Sequence, residues 1–164
     1  MAKKIIVLGL GNILNRDEGA GVYALKELEK ILPEKIKAEV ELVDGGVLGM
    51  DLLPYVERAS HLLILDAVDS GAQPGQVMDY TKDEIELFYG GRLSWHQLGF
   101  QEVLAVAKAR GKYPENVNLI GVQPADIKTG IGLSRKVNNS VQKMVKRAVE
   151  VLESWLGEIK KKKI

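Results

Sequence analysis

Residues 3–32 read KKIIVLGLGNILNRDEGAGVYALKELEKIL, and their pattern decides the fold. Ile5 to Leu8 form a short apolar run, rich in β-branched residues, that breaks at Gly9-Leu10-Gly11-Asn12. A strand buried on both faces reads this way, because neither face has to meet water. Val22, Leu25, Leu28 and Leu32 then recur at the three- and four-residue spacing of a helix. Asn15 stands where an N-cap belongs, Glu18 follows three residues on as in a capping box, and Pro33 closes the segment.

The alternation continues outward from there. Val40 to Val43 is a second strand ending at Asp44-Gly45-Gly46, and Met50 to Arg58 is a short helix. Leu62 to Leu65 is a third strand closing at Asp66, and Val77 to Tyr80, after Pro74-Gly75, is a short strand suited to a sheet edge. Residues 81–93 carry no clear period. Ser94 and Gln97 make a second capping box for a helix from Trp95 to Arg110, and Gly111 suits the position just past its end. Val117 to Val122 is a fifth strand. Ser134 to about Leu156 is a long helix with Val137, Val141, Val145, Val149 and Leu152 on one face. Lys160 to Lys163 read as a frayed, solvated tail, which divides the chain into a domain over residues 1–159 and a basic tail over 160–164. Strands alternating with helices predict an α/β fold: a single-domain three-layer α/β/α sandwich with a twisted, mostly parallel five-stranded sheet.

Composition narrows the function. The 164 residues suit one ordinary domain, and 46% hydrophobic with 27% charged residues excludes a disordered or fibrous chain. A net charge of +1 gives no global pull on nucleic acid, and 5% aromatic residues offer few stacking platforms. The absence of cysteine excludes disulfides, thiolate metal ligands and a cysteine nucleophile, and it fits the cytoplasm. No early apolar run is long enough to span a membrane or to resemble a signal peptide. A monomer is the default expectation.

In a sheet of this kind ligands sit outside the carboxyl ends of the strands. The first candidates are therefore Gly11 to Glu18, Asp44 to Gly49, and Asp66 to Ser70. Gly9-x-Gly11 is not a dinucleotide fingerprint, because Leu14 replaces the third glycine and Asp17-Glu18 would repel a pyrophosphate. Glu18, Asp66 and His96 fall next to loops at one sheet edge. Two carboxylates and one imidazole could bind a divalent ion such as nickel, zinc or cadmium with positions left open for substrate. Each residue also has a plainer role: Glu18 as a helix cap, Asp66 as a turn former, His96 as a residue at a helix N-terminus. His61 precedes the third strand, away from the carboxyl ends, and reads as structural.

The order of the motifs resembles the hydrogenase maturation proteases. The resemblance is carried by Gly9-Leu10-Gly11-Asn12-Ile13-Leu14 with Asp17-Glu18-Gly19-Ala20-Gly21-Val22, by Asp44-Gly45-Gly46 with Gly49, and by Leu65-Asp66-Ala67. Ser94-Trp95-His96-Gln97-Leu98-Gly99, Ile120-Gly121-Val122-Gln123-Pro124 and Gly132-Leu133-Ser134 complete it, from about residue 4 to about residue 156. Val47 departs from the threonine that often follows the Asp-Gly-Gly motif. The resemblance implies an endopeptidase that removes a C-terminal extension from a nickel-loaded [NiFe] hydrogenase large-subunit precursor. It implies that Glu18, Asp66 and His96 are catalytic and contact nickel supplied by that substrate. Cadmium or zinc would be accepted by the same ligands in vitro. Asp44, Gly45 and Gly46 are expected to shape the substrate groove, and residues 81–93 and 125–133 to add to the recognition surface. A peptidyl-tRNA hydrolase opens with a similar strand and Gly-Leu-Gly-Asn, but this chain has no histidine before His61. A nickel chaperone would use the same three ligands without hydrolysis, and a spore-type protease shares the broad fold.

Overall fold

The computed structural model describes residues 2–87 and 98–164. Five strands form one sheet in the order β2-β1-β3-β5-β4. They are β1 (Ile5–Leu10), β2 (Val40–Gly46), β3 (His61–Ala67), β4 (Val77–Thr81) and β5 (Asn116–Val122). The first three and β5 pair in parallel, while β4 runs antiparallel along β5 at one edge. The apolar cores of β1 and β3 are buried throughout because helices cover both of their faces.

Side-chain alternation sorts the core into two layers. Ile5, Val7, Leu63, Leu65, Ile120 and Val122 pack under α1 (Ala20–Ile31) and α6 (Arg135–Lys162). Ile6, Leu8, Leu62, Ile64, Val117 and Leu119 pack under α3 (Leu53–Arg58) and α5 (Leu98–Ala109), joined by Ile85 of α4 (Lys82–Leu87). The three-layer sandwich read from the sequence is the fold observed.

Several boundaries differ from the sequence expectation. A short helix, α2 (Glu34–Lys37), follows Pro33. The segment before α3 is a 3-10 turn, Gly49–Leu52. The Asn15 side chain accepts no cap hydrogen bond; its Nδ2 donates to Glu18 Oε2 at 2.9 Å, and a 3-10 turn, Arg16–Gly19, precedes α1. Helix α6 continues past Leu156 through Lys162, so the basic run forms its last turn, where the dipole favours cations. The expected start of the helix at Ser94 and Trp95 lies outside the described residues. Among the described residues no helix is long and apolar enough to cross a membrane.

His61 is buried at the start of β3, at the sheet end opposite the candidate site. Its Nε2 lies 3.1 Å from Asn116 Nδ2, which can only donate, so Nε2 accepts. The proton therefore sits on Nδ1, 2.9 Å from Ser60 Oγ, and the ring is held neutral in one tautomer.

Candidate functional site

The carboxyl end of the sheet is shaped by glycines that let backbone segments touch. Gly11 has φ +128°, and a Cβ there would lie 1.7 Å from the Glu18 carbonyl oxygen. Gly21, at the start of α1, would place a Cβ 2.0 Å from the Leu65 carbonyl oxygen and 2.4 Å from that of Leu10. The turn carrying Glu18 is thereby pressed onto the ends of β1 and β3. Asp66, the next residue after Leu65, lies within the electrostatic reach of Glu18.

Asp66 is buried, and its Oδ1 accepts the Ala67 N–H at 2.8 Å. Its Oδ2 is buried with no hydrogen-bond partner among the described residues. Burial pushes the carboxyl up to about 8; the Ala67 N–H works against this, and the Glu18 charge adds to the rise. A buried carboxylate oxygen without a donor is costly, and a proton or a cation relieves that cost. His96 lies outside the described residues, and among the described ones no group of three His, Cys, Asp or Glu side chains gathers.

Asp44 and Gly46 line a groove of about 300 Å³ at the same end of the sheet, together with Gly11, Asn12, Leu14 and Val47. The register between β1 and β2 shifts there, with Gly9 opposite Asp44 and Leu10 opposite Gly46. Gly45 is the residue left over, turned inward where a Cβ would meet Leu10 Cδ2 at 2.8 Å. Gly46, at φ +42°, accepts the Gly11 N–H at 3.0 Å and ties the two turns together.

Comparison with known proteins shows the family and the fold. The family model for hydrogenase maturation proteases matches residues 22–151. The hydrogenase expression/formation protein HupD of Rhizobium leguminosarum bv. viciae is 40% identical over 156 residues, 94% of this chain and 76% of that protein. The hydrogenase 2 maturation protease of Escherichia coli is 37% identical over 158 residues, covering 94% of this chain and 92% of that one. The solved structure of the hydrogenase maturating endopeptidase HybD from E. coli superposes with a TM-score of 0.82 at 35% identity, over 92% of this chain and 93% of that chain. The chain belongs to the hydrogenase maturation protease family. It is an enzyme, a peptidase, and the peptidyl-tRNA hydrolase and chaperone readings fall away.

In this hydrogenase maturation protease the structure gives positioning roles to Asp17 and Gln123, which the sequence reading placed in motifs without a role of their own. Asp17 is fully buried. Its Oδ2 accepts the N–H groups of Ala125 (2.9 Å) and Asp126 (2.8 Å) and the Ser134 hydroxyl (2.7 Å), and its Oδ1 accepts the Ser134 N–H (2.7 Å). One carboxylate thus fastens the 125–134 segment to the residue next to Glu18. Gln123 organises the loop after Asp66: its Oε1 accepts the N–H groups of Ser70 (2.9 Å) and Ala72 (3.2 Å), and its Nε2 donates to Asp69 Oδ1 (3.0 Å). The available signal for Asp17 was its place in a turn beside a candidate ligand; its partners lie more than a hundred residues away, where no local pattern reaches.

Proposed function

We propose that this protease removes the C-terminal extension of a [NiFe] hydrogenase large-subunit precursor already loaded with nickel, and that Glu18, Asp66 and His96 contact that nickel. The reading is carried by Asp66 Oδ2, a buried carboxylate oxygen with no donor among the described residues, within the electrostatic reach of Glu18 at the carboxyl end of the sheet. The metal belongs to the substrate. A precursor without it brings no cation to replace the proton on the buried Asp66 carboxyl or to meet the Glu18 charge, so the site discriminates loaded from empty substrate. Cadmium or zinc would occupy the same ligands in vitro. Asp44, Gly45 and Gly46 shape the groove that receives the chain to be cut.

In the cleavage step water adds to the scissile carbonyl carbon, the C–N bond breaks, and a proton of the water passes to the leaving amine. The nickel supplies positive charge that activates the water or polarises the carbonyl. A carboxylate of Glu18 or Asp66 carries the proton. The enzyme works as a cytoplasmic monomer on this protein substrate, without a nucleic-acid or membrane partner.

The test is mass spectrometry of cognate precursor, with and without nickel, after incubation with the wild type and with Glu18→Gln, Asp66→Asn and His96→Ala. Loss of a discrete C-terminal peptide from the loaded precursor alone, and failure of all three variants, is expected. Equal cleavage of the nickel-free precursor would overturn the recognition role of the metal.

A further inference from the structure

Exposed large apolar side chains among the described residues fall at 13–14, 47–50 and 127–131, with Ile31 and the terminal Ile164 as the exceptions. The three segments lie together. The Gly11 N–H donates to Gly46 O at 3.0 Å, joining the first to the second. The Arg16 N–H donates to Gly130 O at 3.1 Å and the Gly130 N–H to Leu14 O at 2.8 Å, joining the first to the third. Asp17 pins Ala125 and Asp126 from below. These apolar side chains therefore stand on loops cross-tied by backbone hydrogen bonds, around the turn that carries Glu18. Clustered exposed apolar surface held in a fixed shape marks a binding face, because its ordering cost is met before the partner arrives.

We infer that this rim is the docking surface for an extended, apolar stretch of the substrate protein next to its cleavage point. The inference rests on the reading proposed above and adds where the precursor gains its affinity. Three observations select this occupant. The rim is continuous with the groove holding Asp44, because Ile13, Leu14 and Val47 belong to both, and Gly11 of the same groove packs against the Glu18 backbone. Its groove, at about 300 Å³, holds a few side chains and not a folded element. Among the described residues Asp44 is the only charged one lining it, beside Ile13, Leu14, Val22 and Val47, which suits a chain presenting apolar side chains.

The test uses the full chain and nickel-loaded precursor. Leu14, Val47 and Ile131 are 56%, 66% and 69% exposed, so replacement by Asp leaves the core untouched. Leu14→Asp, Val47→Asp and Ile131→Asp are each expected to raise KM about tenfold, the loss of one buried apolar side chain, with kcat within about twofold. Leu14→Met restores the wild-type KM, and Ile31→Asp, away from the rim, leaves it unchanged. KM values for the three Asp variants equal to that of Ile31→Asp would overturn the inference. So would a wild-type dimer in sedimentation that Leu14→Asp converts to monomer with KM unchanged, since the rim would then join two copies of this chain. If the wild type cleaves no loaded precursor, the proposed function fails by itself. Equilibrium binding of the same precursor then decides the rim, with weakened binding by Leu14→Asp in favour and equal binding against.

Discussion

Single side chains hold this site in place, and Asp17 is one that does so through four hydrogen bonds. Three backbone N–H groups and one hydroxyl converge on its two oxygens. Asp17→Asn keeps the shape but sets an NH2 group against an N–H whichever way the amide turns. The expected loss is about 2–4 kcal/mol, since hydrogen bonds to a charged acceptor are the stronger kind and a buried donor would be left unmet. Chemical denaturation measures it, and an unchanged midpoint would contradict the clamp. His61 gives a second test at this scale. Burial pushes its pKa below the ordinary 6.5, so the unfolded chain takes up a proton before the folded one does. Stability is then fully present above about pH 6.5 and is lost as pH falls through the lower folded value. In a titration followed by NMR the His61 ring should be less than half protonated at pH 6.5; half-protonation or more there would refute the assigned hydrogen bonds.

The elements meet at glycines, and these positions govern how the Glu18 turn sits. Gly21→Ala drives a methyl into the Leu65 and Leu10 carbonyl oxygens, which are backbone and cannot rotate aside. A loss of about 3 kcal/mol is expected as α1 lifts from the sheet. Gly157→Ala is the matched control: it lies in α6 with nothing within 4 Å of the added Cβ, so a gain of about 0.5–1 kcal/mol is expected. Urea unfolding of both variants checks the contrast, and similar effects from the two would show that the packing at Gly21 is not close. The same elements show what was legible beforehand. β1 and β3 stood out because burial on both faces leaves an unbroken apolar run. The polar ends of β2 and β3 did not, because Asp44–Gly46, His61 and Asp66 join the sheet through register with a neighbour and not through hydropathy. The nearness of Glu18 to Asp66 follows from strand-end position, which the alternation of elements already contained. Asp17 and Gln123 act through partners distant in sequence, and Asn15 matched a capping pattern while donating in place of accepting.

The whole molecule gives up stability at one edge and holds it elsewhere. The two apolar layers are closed and continuous, whereas the carboxyl edge buries an acid with an unmet oxygen beside another acid. The Asp66 carboxyl is pushed from 3.8 up to about 8, so the folded protein holds a proton that the unfolded chain has already released over that interval. The sign follows from linkage: Asp66 favours the fold fully below about pH 4, and that contribution is lost as pH rises through about 8. Asp66→Asn removes the titration and keeps the shape. The variant should therefore exceed the wild type in stability by roughly 2–4 kcal/mol at pH 7, with the difference growing from about pH 4 and level above pH 8. Glu18→Gln removes the charge that raises Asp66, so the wild-type curve should shift toward lower pH in that background. Unfolding of the three proteins from pH 4 to 9 measures both effects. A difference between Asp66→Asn and wild type that stays flat across this range would mean that Asp66 is not strained by burial. A sloping difference, together with loss of cleavage in the same variant, would place a carboxyl strained by burial at the point where substrate binds and relieves it.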